Sequence, residues 1–116
     1  TPETEGMVDE ALLARMRPGS FLVNTSRGQL VDNMAVRAAL LSGHLAGAGF
    51  DTLWPEPTPA DHPLVDLPLE VRDHVVCLPH IAGNTGPAFR RAYAAVWGNV
   101  RRVLEGQRPE NVVTGL

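Results

Sequence analysis

Ser20-Phe21-Leu22-Val23-Asn24, running out into the polar Thr25-Ser26-Arg27-Gly28, decides how this chain is read. A short, mostly apolar run rich in β-formers suits a buried strand, and the polar residues after it suit a loop at the strand's carboxyl end. Working back, Asp9 stands before Glu10-Ala11-Leu12-Leu13-Ala14-Arg15-Met16. That pattern predicts a capped helix of about two turns, stopped by Pro18-Gly19. Working forward, Asp32 is expected to cap a helix from Asn33 to Ser42, with Met34, Val36, Ala38, Leu40 and Leu41 as its apolar positions and Gly43 as its stop. Leu45-Ala46-Gly47-Ala48-Gly49-Phe50 is a second strand candidate despite its glycines, and Asp51 stands at its carboxyl end.

Residues 52–70 carry Pro55, Pro57, Pro59, Pro63 and Pro68 and read as a long ordered loop rather than a helix. His74-Val75-Val76-Cys77-Leu78 reads as a third buried strand closed by Pro79, with Cys77 as a small core residue. After His80-Ile81-Ala82-Gly83, the longest helix is expected from about Thr85 to Glu105. Its apolar positions Phe89, Tyr93, Val96, Trp97, Val100 and Leu104 form a one-sided stripe suited to a core or a subunit interface. Gly106 ends it, and Arg108-Pro109 onward reads as an extended tail. Short apolar strands alternating with helices predict an α/β fold with a parallel sheet and right-handed crossovers. Three strands make a thin sheet that looks like half of a domain, with an unpaired edge and an uncovered face.

With 116 residues, a net charge of −3 and one cysteine, the chain is long enough for one domain and is neither disulfide-stapled nor low-complexity. Its mild acidity argues against a nucleic-acid surface, and all ten basic residues are arginines. No apolar run approaches the roughly 20 residues of a membrane helix, and no charged-then-apolar leader opens the chain, so the expectation is a cytoplasmic protein without a membrane partner. His44, His62 and His74 show no metal-ligand spacing, so no metal site is expected. Arg90, Arg91, Arg101 and Arg102 read as a solvated helix face.

In open parallel sheets ligands bind outside the carboxyl ends of the strands. Those ends hold Arg27, Asp51 and His80, three ionisable side chains at one topological position of consecutive strands. Arg27 offers a planar fork for a carboxylate. Glu56, held between Pro55 and Pro57, is placed to accept a bond from His80; such a pair would raise the imidazole pKa and fix its tautomer for proton transfer. Arg, His and Glu together suit a 2-oxo acid, with Arg on the carboxylate and His on the carbonyl oxygen. No side chain donates hydride, so a redox cofactor is required.

Four motifs stand in order: Thr1-Pro2-Glu3-Thr4-Glu5-Gly6, Pro18 to Gly28, Asp51 with Pro55-Glu56-Pro57, and Leu78-Pro79-His80-Ile81-Ala82-Gly83. Across essentially the whole chain this series resembles the D-isomer-specific 2-hydroxyacid dehydrogenases, which include phosphoglycerate dehydrogenases and glyoxylate/hydroxypyruvate reductases. The resemblance implies that Arg27 binds substrate, that His80 is the acid/base and that Glu56 is its paired carboxylate. It implies that Asp51 contacts the nicotinamide amide of NAD or NADP. Thr1, Pro2, Thr25, Ser26, Arg27, His80, Ala82 and Gly83 would line the nicotinamide half of the site. Residues 1–106 would be the second, C-terminal half of a Rossmann-type NAD-binding domain. The long helix would then be the crossover toward the substrate domain, with 107–116 a tail belonging to that domain. The family is commonly dimeric through its nucleotide-binding domain, which implies a homodimer for the full-length protein. Glu56 argues against the formate dehydrogenases, whose members usually carry Gln there, and Thr52 departs from the Val that many relatives have.

Gly47-Ala48-Gly49 is not the phosphate-binding turn, because Thr52 stands where its third glycine would fall and no helix follows. The chain therefore reads as a C-terminal portion of a larger dehydrogenase, with the loop that separates NAD from NADP lying upstream. Two other readings stay open: an NAD(H)-binding scaffold like the corepressors similar to this family, and an inactive truncated fragment.

Overall fold

The computed structural model describes residues 2–113, so Thr1 and residues 114–116 lie outside it. The chain forms two compact units, residues 1–82 and residues 83–116.

In the first unit a single 3-10 turn at Pro2–Thr4 leads to α1 (Glu10–Ala14), where Asp9 caps by accepting the Leu12 N–H at 2.8 Å. The helix closes at Arg15, short of Met16, and the chain turns through Gly19, whose φ of 80° falls in the left-handed region that glycine adopts freely. Strand β1 (Ser20–Asn24) follows, then a 3-10 turn at Gly28–Leu30. In α2 (Asn33–Leu41) the Asp32 carboxylate takes the N–H groups of both Met34 and Ala35. β2 (Leu45–Phe50) comes next. A short α3 (Leu69–Arg72) interrupts what the prolines had marked as loop, and β3 is Val75–Cys77, trimmed at both ends.

The three strands are parallel in the order β1-β2-β3. Register places Phe21 beside Gly47, Val23 beside Gly49, and Gly49 in turn beside Val76, on one face. Ala48 and Phe50 point to the other, where Leu13, Val36, Ala39 and Leu40 of α1 and α2 meet them, together with Leu64 and Leu67 from the long loop. Each fully buried Leu or Val there contributes roughly 1.5–3 kcal/mol of transfer free energy. Gly47 admits no side chain: a Cβ would stand 2.6 Å from the His74 carbonyl and 3.1 Å from the Phe21 ring. Gly47-Ala48-Gly49 thus lies inside β2, as expected.

The strand segments, apolar enough to be buried, are covered on one face only, which is the uncovered face expected of a three-stranded half-sheet. Phe21 and Val23 are about 70% and 69% exposed, because the helices of this unit cover one face only. Cys77, read as a core residue, is exposed for a different reason: paired with Phe50 it shares the helix-covered side, but it ends β3, the outermost and shortest strand.

In the second unit Thr85 caps α4 (Gly86–Leu104) by accepting the Ala88 N–H, with Pro87 in the first turn. No residue of α4 is buried, and its stripe of Phe89, Tyr93, Val96, Trp97 and Val100 is exposed. The chain turns at Gly106, and the expected extended tail instead returns along the helix. Asn99 exchanges two hydrogen bonds with the Glu110 backbone, at 3.1 and 2.8 Å, and Arg102 pairs with the Glu110 carboxylate at 3.2 Å. Arg102 is therefore a tail clamp rather than part of a solvated face.

Candidate active site

The site grows from the carboxyl edge of the sheet. Beyond β2, the Asp51 N–H donates to the Asn24 carbonyl at the end of β1, at 3.0 Å. On its other side the Asp51 carbonyl accepts the His80 N–H at 2.8 Å, continuing the ladder past Pro79. The Asp51 carboxylate is 5% exposed, and its Oδ1 accepts the N–H groups of Ile81 and Ala82 at 2.9 and 3.0 Å. Asp51 therefore fastens the segment that carries His80, beyond any contact it makes with a ligand.

That segment is strained. His80 has φ of 56°, a left-handed conformation that costs a non-glycine residue on the order of 1–3 kcal/mol and is held where the surroundings over-determine it. Its ring faces Glu56, and Nδ1 lies 3.1 Å from each carboxylate oxygen. A carboxylate accepts only, so Nδ1 carries the proton and Nε2 is the nitrogen left for a reacting group. Both side chains remain accessible, at 44% and 43% exposed. Together with Asp51, Leu53 and Pro79 they line a cavity of about 470 Å³.

Arg27 is exposed, and its Nη1 donates to the Ser26 carbonyl at 2.8 Å. It lines a different depression, of about 510 Å³, with Pro2, Ser26 and Gln29. The structure thus brings Glu56 to His80 and Pro2 to Arg27. Among the described residues no hydrogen bond joins Arg27 to the His80–Glu56 pair. Thr25 is exposed on the same loop as Arg27, and Gly83 belongs to the second unit, where its carbonyl accepts the Thr85 N–H. Thr1 falls outside the described residues.

Asn24 has a role that spacing did not assign. It is 8% exposed; its Nδ2 donates to the Arg27 carbonyl at 2.9 Å and its Oδ1 accepts the Ser26 N–H at 3.0 Å, which fixes the arginine loop to the strand end. An Asn at the last position of a strand, followed by Thr-Ser, was the available signal. His62, 3% exposed, was also passed over. The Cys77 thiol borders the same cavity as His80, and desolvation pushes its pKa above the ordinary thiol value. Among the described residues no cluster of His, Cys, Asp or Glu forms a metal site, and no helix is long and apolar enough to cross a membrane.

The carboxyl edge of this parallel sheet, which carries a carboxylate-oriented histidine, is the place where open α/β sheets bind ligands. Residues 1–82 match the D-isomer specific 2-hydroxyacid dehydrogenase, NAD binding domain, and the chain belongs to that family. It is similar to D-3-phosphoglycerate dehydrogenase of Mycobacterium leprae, with 41% identity over 92% of this chain and 19% of that protein. Similarity to glyoxylate/hydroxypyruvate reductase B of Pectobacterium carotovorum is 39%, over 97% of this chain and 34% of that one. The crystal structure of a D-isomer specific 2-hydroxyacid dehydrogenase from Xanthobacter autotrophicus Py2, in complex with NADPH and MES, superposes with a TM-score of 0.82 at 37% identity. It covers 97% of this chain and 44% of that one. The chain therefore spans about a fifth to a third of the length of the curated relatives described.

Proposed function

We propose that this chain supplies the acid/base and substrate-binding residues of an NAD(P)-dependent dehydrogenase that interconverts a 2-oxo acid and its D-2-hydroxy acid. The observation that carries the reading is the Glu56–His80 pair: both carboxylate oxygens at 3.1 Å from Nδ1, on a histidine held at φ 56°.

The described residues fit one end of the cofactor. Pro2, Ser26 and Arg27 around their depression, with the loop ending at Ala82, suit the nicotinamide half. The only Gly-X-Gly run lies within β2, so the pyrophosphate is assigned to a part of the protein not represented in this sequence. When bound, the nicotinamide supplies the hydride that the carbonyl carbon takes up. His80 Nε2 donates the proton to the carbonyl oxygen in reduction and accepts it in oxidation, so one hydride and one proton convert the oxo acid to the hydroxy acid. Glu56 holds the ring and stabilises the imidazolium. Arg27 is assigned to the substrate carboxylate through its planar fork, which requires the guanidinium to turn from the Ser26 carbonyl. Asp51 positions the backbone at 80–82 and is assigned to the carboxamide.

The same reading assigns residues 1–106 to the nucleotide-binding domain and 107–116 to the substrate domain. It places a homodimer in the cytoplasm, and the small acid as the partner in place of a nucleic acid or membrane. The test is NADH- or NADPH-dependent reduction of glyoxylate, hydroxypyruvate and pyruvate by the intact protein, with chiral analysis of the lactate formed. D-lactate, or turnover of either other acid where pyruvate is not reduced, supports the reading; exclusively L-lactate, or no turnover with any of the three, rejects it.

A further inference from the structure

Glu56 can orient His80 only if its own segment is held, and its immediate neighbours do little holding. Trp54 is 51% exposed, and Pro55 and Pro57 are exposed as well. The restraint comes from His62. This ring is buried and engaged at both nitrogens: Nδ1 accepts the Leu64 N–H at 3.2 Å, so in the neutral ring Nε2 carries the proton and donates to the Trp54 carbonyl at 3.1 Å. Asn33 Nδ2 reaches the same carbonyl at 3.3 Å, from the first position of α2.

The turn that carries His62 is anchored in its own right. The His62 carbonyl accepts the N–H groups of Val65 and Asp66, both at 2.8 Å. Leu64 and Leu67 are sunk in the core at 1% and 6% exposed. Arg37 of α2 donates to the Pro63 carbonyl at 2.7 Å and also to that of Asp66. A rigid ring thus links a well-fixed turn to the backbone two residues before Glu56.

We propose that His62 is a positioning residue: by fixing the Trp54 carbonyl, with Asn33 in support, it aims the Glu56 carboxylate at Nδ1 of His80. This inference rests on the acid/base reading of the Glu56–His80 pair. Misplacing a catalytic group by about 1 Å costs up to roughly a hundredfold in rate.

The test uses the intact enzyme with NADH and glyoxylate, and the variants His62→Leu, His62→Gln and Asn33→Ala. His62→Leu is expected to lower kcat by about tenfold to a hundredfold with the KM for NADH unchanged. His62→Gln keeps a donor for Trp54 and should restore most of that loss, while Asn33→Ala should give a smaller loss of the same kind. A second readout needs no turnover: long-range proton–nitrogen NMR reports which ring nitrogen of neutral His80 is protonated. The wild type should hold the Nδ1–H form, and His62→Leu should shift His80 toward Nε2–H. Absence of glyoxylate reduction in the wild type would count against the proposed function, and the tautomer spectra would still decide the role of His62. If His62→Leu does not fold, His62→Gln and Asn33→Ala decide it. Wild-type kcat and wild-type His80 tautomer in every folded variant, whatever the melting temperature, would overturn the inference and leave His62 a core histidine.

Discussion

Replacing Thr52 by valine removes a hydroxyl that is 1% exposed and, among the described residues, has no hydrogen-bond partner. Thr52 follows Asp51 directly, so the orphaned group sits beside the residue that fastens the His80 segment. A buried hydroxyl without a partner costs about 1–3 kcal/mol by mutational measures. Valine keeps the β-branched shape and puts a methyl in the same space, worth up to about 0.8 kcal/mol of apolar burial. Allowing for relaxation of the site in either state, the expected net gain is about 1–2 kcal/mol. For a unit of this size each kcal/mol moves the melting temperature by about 4–8 °C. The assay is urea unfolding followed by tryptophan fluorescence, where the midpoint should rise with the slope unchanged. Thr52→Ala, which also removes the methyl, should instead destabilise by about 1–2 kcal/mol. A Thr52→Val midpoint at or below wild type would show instead that the hydroxyl is satisfied in the folded chain.

Other expectations follow from the same contacts. Gly28→Ala would put a Cβ 2.5 Å from the Leu53 carbonyl carbon and the Trp54 nitrogen, so a loss of about 1–3 kcal/mol is expected in the same unfolding assay. Arg27→Lys replaces a planar fork by a point charge and should raise the KM for the oxo acid by about tenfold to a hundredfold, with a smaller change in kcat, measured by initial rates at saturating NADH. Desolvation raises the Cys77 thiol pKa in the folded chain. The folded state then holds that proton more tightly than the unfolded one, so the stabilising contribution is full below the unfolded thiol value of about 8.5 and is lost as pH rises through the folded value. Urea midpoints of the wild type should fall relative to Cys77→Ala over that alkaline range, and iodoacetamide should alkylate the folded thiol more slowly than the urea-unfolded one.

β1 and β2 were legible to the residue because their apolar runs are bounded by turn signals, Pro18-Gly19 and Gly43 before them and polar loops after. Helix starts were equally plain at Asp9, Asp32 and Thr85, since side-chain caps are local chemistry. α3 was missed: four residues behind Pro68, which makes no side-chain cap, carry no periodic signal. The bare face of the sheet was legible only as a consequence of the missing half. A continuous apolar run such as Phe21-Leu22-Val23 says that both faces are apolar, not which one is covered. Glu56 and His80 were found because prolines and a strand end confine them to one place. Asn24 and His62 act on backbone groups, and in His62 the partner lies eight residues away, which no residue spacing encodes.

Under the proposed function His80 transfers the proton. This role is tested most directly by comparing wild type and His80→Ala in the intact enzyme, with NADH affinity measured by fluorescence and glyoxylate reduction followed at saturating NADH. Near-wild-type NADH binding and a loss of about 10²–10⁴ in turnover are expected. Turnover within a few-fold of wild type would contradict that role.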